Sequence, residues 1–367
     1  MIHSIFIGFR EKLNMPRLFS RTGIGPLSRA LLRGVLLLPA AVVPADGLTV
    51  ERAVEIALAG NLDVLLARNE VEAARGRKQQ LGARPEPQLE ASVDGAPLPG
   101  RAQEGADTEF SLGIEQVLEY PGKRSLRAEI GRLGENLAEA EFARVRLIVA
   151  ARVKCAYWQA VFARDSARAL EKSLGRLELL LTDLQMKYGS GTVAYADVLR
   201  ARAEKARLRN QIIEQEKERR AAALELNELL ARPAGEPVEL LTSMRFVPID
   251  VDLETIWARA LSTRPSLRMA SIRKDRAAAS VKLARLDRRP DFFAGFSLPS
   301  NRPNAWGVSL GLTLPFLRPG RSRGISLEAG AEEENAGLLA DSRRRRIRSA
   351  LESAYSSAQA AGEQVLV

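Results

Sequence analysis

The sequence predicts a mostly α-helical chain with four short β-strands, laid out twice in the order helix, strand, strand, long helix. Three observations carry that prediction. Apolar residues recur at spacings of three and four along Ala167, Leu170, Leu174, Leu177, Leu181, Leu184 and Tyr188, the seam of a helix packed lengthwise on another. Strict alternation of apolar and polar residues replaces that period after Arg84-Pro85 and again after Arg289-Pro290. The third is self-similarity at a nearly constant offset, which dictates architecture because each copy repeats the same packing problem.

Residues 1–45 have the make-up of a secretory signal peptide. Arg17, Arg21, Arg29 and Arg33 precede the apolar run Gly34 to Val43, and Val43-Pro44-Ala45 offers the small residues a signal peptidase reads. The run is too short to span a bilayer as a helix, which favours cleavage over anchoring. Met15 is a candidate start beside Met1. About half of the formal charge of +10 sits in this leader, so the remainder is only modestly basic and nucleic acid is not an expected partner.

The only histidine, His3, lies in the leader, and the single cysteine, Cys155, sits in a helical run where a buried position is expected. A chain without other His or Cys has no His/Cys metal cluster and no Ser/His or Cys/His nucleophile pair, so no metal site, no cofactor and no enzymatic activity are expected. Aromatics are 5% of residues while Ala, Glu, Leu and Arg fill the long segments, as extended helices require.

Residues 46–240 form the first repeat. Thr49 is a plausible cap for a helix from Leu48 to about Leu81, which Arg84-Pro85-Glu86-Pro87 ends. Strands follow at about 88–95, where Leu89, Ala91 and Val93 alternate with Glu90, Ser92 and Asp94, and at about 108–118, where Phe110, Leu112 and Ile114 alternate with Ser111, Gly113 and Glu115. Pro121-Gly122 closes the second. From Lys123 a helical pattern runs about 65 residues, roughly 95 Å, to a hairpin tip at 188–198. There Gly189 and Gly191 permit positive φ, and Thr192 is placed to cap a return helix through Val198, Leu199, Ala206, Ile213 and Leu224 to about Leu230.

After a linker at 241–252, residues 253–367 hold the second repeat. An offset of 203 lays Glu51 on Glu254 and Ala57-Leu58 on Ala260-Leu261; Arg84-Pro85 meets Arg289-Pro290 after a two-residue insertion. Strands are expected at about 291–299, with Phe292, Ala294, Phe296 and Leu298 on one face, and at about 305–315, with Trp306, Val308, Leu310, Leu312 and Leu314. From there an offset of 198 matches Ser111-Leu112-Gly113 to Ser309-Leu310-Gly311, Pro121-Gly122-Lys123 to Pro319-Gly320-Arg321, and Ala156-Tyr157 to Ala354-Tyr355. Residue 367 corresponds to residue 169, so the second copy is expected to be cut short by roughly 65 residues against its own pattern.

Strands of this length and alternation match single membrane crossings of a β-barrel. Four cannot close one, and an open edge in lipid is forbidden, so other subunits must complete it; three copies would give twelve. Phe110, Leu112, Ile114, Phe292, Phe296, Trp306, Val308 and Leu310 are the candidate barrel residues, the aromatics facing lipid or an interface. The run Arg343-Arg344-Arg345-Arg346 is expected on a solvated or tunnel-lining face.

The segment Gly191-Thr192-Val193-Ala194-Tyr195-Ala196-Asp197-Val198 resembles the Gly-x-x-x-x-x-Asp-Val periplasmic tip of TolC-like outer membrane factors, and the duplication and strand pairs extend that resemblance over residues 48–367. The resemblance implies a homotrimer with one outer-membrane barrel continued by a helical tunnel across the periplasm. It implies a passive export duct for metal ions or small molecules in a tripartite efflux or type I secretion system, working with a periplasmic adaptor and an inner-membrane pump. Tyr188, Gly189, Gly191, Thr192, Asp197 and Val198 would then form the adaptor contact and gate, with Asp197 as a polar latch. Pro121-Gly122-Lys123-Arg124 resembles the branch related to heavy-metal cation efflux. A non-conducting truncated relative and a soluble periplasmic coiled-coil scaffold are the alternatives.

Overall fold

The computed structural model describes residues 47–94, 108–299, 305–317 and 319–366. The expected signal peptide lies outside the described residues. The single helix expected from Leu48 to Leu81 is two helices, α1 (Val50–Gly60) and α2 (Leu62–Gly82). Thr49 caps α1 as expected, accepting from the Arg52 N–H. Asn61 makes the break. Its backbone N–H closes α1 on the Ala57 carbonyl, its Oδ1 accepts from the Asp63 N–H at 3.0 Å, and its Nδ2 donates to the Leu229 carbonyl at 3.0 Å. One buried residue thus ends a helix, starts the next and ties both to the end of a helix 168 residues away.

Strands β1 (Gln88–Asp94) and β2 (Glu109–Leu118) lead into α3 (Lys123–Gly189), a helix of 67 residues, roughly 100 Å long. Helix α4 (Tyr195–Leu229) returns along it. The residues that α4 turns inward are Val198, Ala201, Lys205, Leu208, Ile212, Gln215, Arg219, Ala222, Leu226 and Leu229, again at spacings of three and four. Of the apolar residues predicted along this helix, Val198 and the terminal Leu230 are buried; Leu199, Ala206, Ile213 and Leu224 face outward. The helix has two apolar stripes, and α3 covers one.

The second copy follows with α5 (Leu253–Thr263), α6 (Pro265–Leu286), β3 (Phe292–Pro299), β4 (Gly307–Leu312), one 3-10 turn (Pro315–Leu317) and α7 (Pro319–Leu366). Its opening helix is also broken, here by Pro265 at the first position of α6, where the missing N–H costs nothing. The strands form one antiparallel sheet in the order β1-β2-β3-β4. Leu89 pairs with Ile114, Ile114 with Phe296, and Phe296 with Val308, so one row of apolar side chains crosses all four strands. Strand β4 is shorter than expected, and Trp306 lies just before it.

The largest core sits midway along α3, where Val149, Val153, Ala156, Tyr157 and Val161 meet α1 and the end of α4. Tyr157 is fully buried, and its hydroxyl donates to the Leu48 carbonyl at 2.7 Å with Thr242 Oγ1 2.8 Å away. The chain leaving α4 is strapped across α3 by Arg164, which donates to the carbonyls of Leu240 and Thr242, each at 2.6 Å. Asp165 orients the guanidinium and accepts from the Met244 N–H at 3.1 Å. The Arg164 hydrogen bond, more than the Met244 N–H, keeps the Asp165 carboxyl ionised below its usual range. Its stabilisation is therefore present above the ordinary value near 3.8 and is lost as the pH falls below it. Cys155, expected to be buried, is exposed on the face of α3 turned away from this core.

Arg164→Met keeps the aliphatic stem and removes both donors to the strap. The expected result is a destabilisation of about 2–4 kcal/mol with faster amide exchange at residues 238–244. Unchanged exchange there would show that the strap holds without Arg164.

Candidate functional site

The sheet has two chemically distinct faces. Leu89, Ala91, Val93, Phe110, Leu112, Ile114, Leu118, Phe292, Ala294, Phe296, Leu298, Val308, Leu310 and Leu312 share one of them, as their cross-strand pairing requires, with Gln116 the single polar residue among them. Their large side chains are exposed, Leu310 by 79%. The other face carries Glu90, Ser92, Asp94, Glu109, Ser111, Gly113, Glu115, Gly295, Ser297, Gly307, Ser309 and Gly311. An antiparallel sheet in water covers its apolar face. This one leaves it open and is polar on the reverse, the distribution of a strand set with lipid outside and water inside.

Phe293 is the large exception on the polar face. Its ring lies over Gly311, where an added Cβ would come within 1.8 Å of the ring, so only glycine fits opposite it. Trp306, outside the strand, stacks on Phe296 with ring centroids 6.5 Å apart and extends the apolar face past the end of β4. Among the described residues no helix is long and apolar enough to cross a membrane, a finding that says nothing of strands.

Below the sheet a polar joint fixes strands to helices. Lys123, buried at the start of α3, donates from Nζ to both Asp291 oxygens at 2.8 and 2.9 Å and to the Arg289 carbonyl at 3.1 Å. Asp291 also accepts from the Tyr120 N–H at 2.8 Å, and its backbone exchanges hydrogen bonds with Thr313. Beside it, Arg127 grips Glu119 and the Leu81 carbonyl. Asp287 nearby is raised above the usual carboxyl range, chiefly by burial. The sequence singled out none of these residues, although Pro121-Gly122-Lys123 and Arg289-Pro290 were visible as repeat marks.

At the opposite end of α3, the tip departs from expectation in two positions. Gly189 is the last helical residue of α3, without positive φ; Gly191 alone takes the left-handed region, at φ 76°. Thr192 does not cap α4, whose N-cap is Ala194 without a side-chain bond. It caps backwards instead. Its hydroxyl donates to the Lys187 carbonyl at 2.9 Å, as does that of Ser190, and its N–H reaches the same oxygen at 3.0 Å. Three donors on one carbonyl close α3, which leaves the start of α4 to Asp197 in its first turn.

Val198 is buried with Leu181 and Ala201, pinning the two helices just behind the turn. Tyr188 and Tyr195 pack against each other across it, centroids 5.2 Å apart, both half exposed. Asp197 is half-buried and, among the described residues, accepts only from Arg200, at 3.0 Å, on its own helix. The predicted tip residues therefore do converge, but among the described residues Asp197 makes no hydrogen bond or ion pair across the hairpin.

A model of the outer membrane efflux protein family matches residues 53–232, from α1 through the tip to the end of α4. Solved outer-membrane channels share the fold over most of the chain. CusC aligns at 19% identity and TM-score 0.72, covering 86% of this chain and 77% of that one. VceC of Vibrio cholerae aligns at 18% and 0.71, covering 85% and 79%. Residues 53–232 belong to the outer membrane efflux protein family. CmeC of Campylobacter jejuni, an outer membrane channel, is similar at 18% identity and TM-score 0.69, covering 85% and 73%. No curated protein sequence matches the chain.

Membership makes the chain an outer-membrane channel component of tripartite efflux, a passive channel rather than an enzyme, placed in the outer membrane and extending into the periplasm. Channels of the family are trimers that work with adaptor proteins and inner-membrane pumps. Among the described residues no group of His, Cys, Asp and Glu could hold a metal ion.

Two predictions follow from the faces and the turn. Leu112→Arg places a charge on the exposed apolar face and should cost about 2–4 kcal/mol of membrane stability, seen as loss of the protein from the outer-membrane fraction, whereas Glu90→Arg on the reverse face should insert normally. Gly191→Ala should destabilise by about 1–2 kcal/mol in denaturant titration, while Gly189→Ala, in helical geometry with open space around it, should stabilise by up to about 1 kcal/mol.

Proposed function

We propose that residues 46–240 and 253–367 are two structural repeats which together contribute four strands and a share of the helical wall to a closed homotrimeric duct. The observation that carries this reading is the exposed apolar sheet face joined directly to a helix of about 100 Å. A soluble periplasmic scaffold would explain the helices and leave that face in water, where a patch of such size invites association.

The duct passes metal ions or small molecules without chemistry, its energy supplied by the pump. The tip at 188–198 meets the adaptor and gates the mouth. Supporting this, the hydroxyls and glycine of the turn are spent on closing α3, while Tyr188, Tyr195 and Asp197 remain on the surface. Asp197 is a gate element only through a partner other than Arg200, on a neighbouring helix of the trimer or on the adaptor. The CusC structure describes conformational changes accompanying folding and channel formation in that protein; here the same family of motions would act on the tip.

Asp197→Ala is expected to raise single-channel conductance in planar bilayers or to reduce adaptor-dependent efflux, with no change in outer-membrane level. Unchanged conductance and efflux together would remove Asp197 from the gate.

A further inference from the structure

The duplicated chain leaves one cation and one acid over, at opposite edges of the sheet. Inside the chain, Lys123 follows the Pro-Gly that ends the first strand pair and binds Asp291, which follows the Arg-Pro that opens the second. The bridge is largely dry, with side-chain exposures of 7% and 26%, and it fastens the seam between β2 and β3. Both marks occur twice. Pro319-Gly320-Arg321 repeats the cation after β4, and Arg84-Pro85-Glu86 repeats the acid before β1.

Each repeat thus carries a cation at the exit of its second strand and an acid at the entrance to its first. Within one chain only the cation of the first repeat can meet the acid of the second. Arg321 and Glu86 are both exposed, and among the described residues neither makes an ion pair. Arg321 lines a cavity of about 550 Å³ with Asp287 and Asp291 but pairs with neither.

We propose that Arg321 of one copy pairs with Glu86 of a second copy of this chain, reproducing across the subunit seam the bridge that Lys123 and Asp291 make across the internal one. Directions agree. Strands alternate through an even-numbered sheet, so β4 and the β1 of a second copy meet antiparallel, as β2 and β3 do. The two joints differ in length. Six residues separate β4 from α7, against four between β2 and α3, and the pair that must span the longer joint is Arg–Glu in place of Lys–Asp. The planar guanidinium can hold both carboxylate oxygens, a fixed geometry that an ammonium lacks.

This inference rests on the ring of identical chains proposed above, and its test separates the two. In a Cys155→Ser background, Glu86→Cys and Arg321→Cys are combined, and outer-membrane fractions are treated with a short bismaleimide before denaturing gels and native sizing. Cross-linked dimers and trimers in the double variant, absent from either single variant, are the expected result. Native oligomers that yield no cross-link would overturn the ion pair and leave the ring standing. Monomers on native sizing of the Cys155→Ser parent, with Glu86 and Arg321 intact, would overturn both. As an independent arm, Arg321→Glu should remove most of the native oligomer and Glu86→Lys in the same chain should restore it; failure of the swap to restore what the single reversal removes counts against direct pairing.

Discussion

A β-sheet that shows hydrocarbon one of its faces has nowhere to hide the hydrogen-bonding groups of its two outer strands. That constraint governs the whole arrangement. Water satisfies the edge of an ordinary sheet, and lipid does not, so every unpaired N–H and C=O along β1 and β4 would cost several kcal/mol, about the scale of total folding stability for a small domain. The apolar outer face makes the strands fit for a membrane and at the same time makes a lone copy unfit for it. Closure by identical neighbours is the solution with fewest new parts, because the edges offered by each copy are already the ends of one repeating pattern.

The polar joint under the sheet has the opposite task, holding a strand layer and a helix layer at a set angle where neither period continues. Lys123 and Asp291 are nearly dry, and a buried pair adds little net stability when compared with apolar residues of the same shape. Its value lies in geometry. Asp291 satisfies Lys123 and the Tyr120 N–H together, and the backbone bonds between Asp291 and Thr313 bring β4's end into the same network. Removing one partner would leave the other buried and uncompensated.

The elements legible in the sequence were those with long, regular periods. The seam from Ala167 to Leu184, the four alternating strands and the duplication are all physical patterns that survive without tertiary context, and the structure places them within a few residues of expectation. What was illegible depended on which neighbour an element met. Leu199, Ile213 and Leu224 are apolar and periodic, yet α3 covers the other stripe. Thr192 has the chemistry of an N-cap, but the left-handed turn at Gly191 aims its hydroxyl back at Lys187. Asn61, sitting between Gly60 and an acid in the next first turn, carried a recoverable capping signal that the surrounding apolar period masked. Lys123 and Asp291 are 168 residues apart, a distance at which only the repeat could have joined them.

The unbroken length of α3 has a mechanical consequence. Tyr157 and Arg164 clamp it near its middle, and it runs as one continuous helix from Lys123 to Gly189, through Gly131, Gly134 and Gly175. Such a rod pivots rather than bends. With about 45 Å between clamp and tip, a tilt of roughly 5° at the waist sweeps the turn through about 4 Å, more than the width of a water molecule. The aperture of a bundle of these rods is thus set by small angles at its waist, where a band of tightening or slackening contacts has more leverage than any residue at the mouth itself.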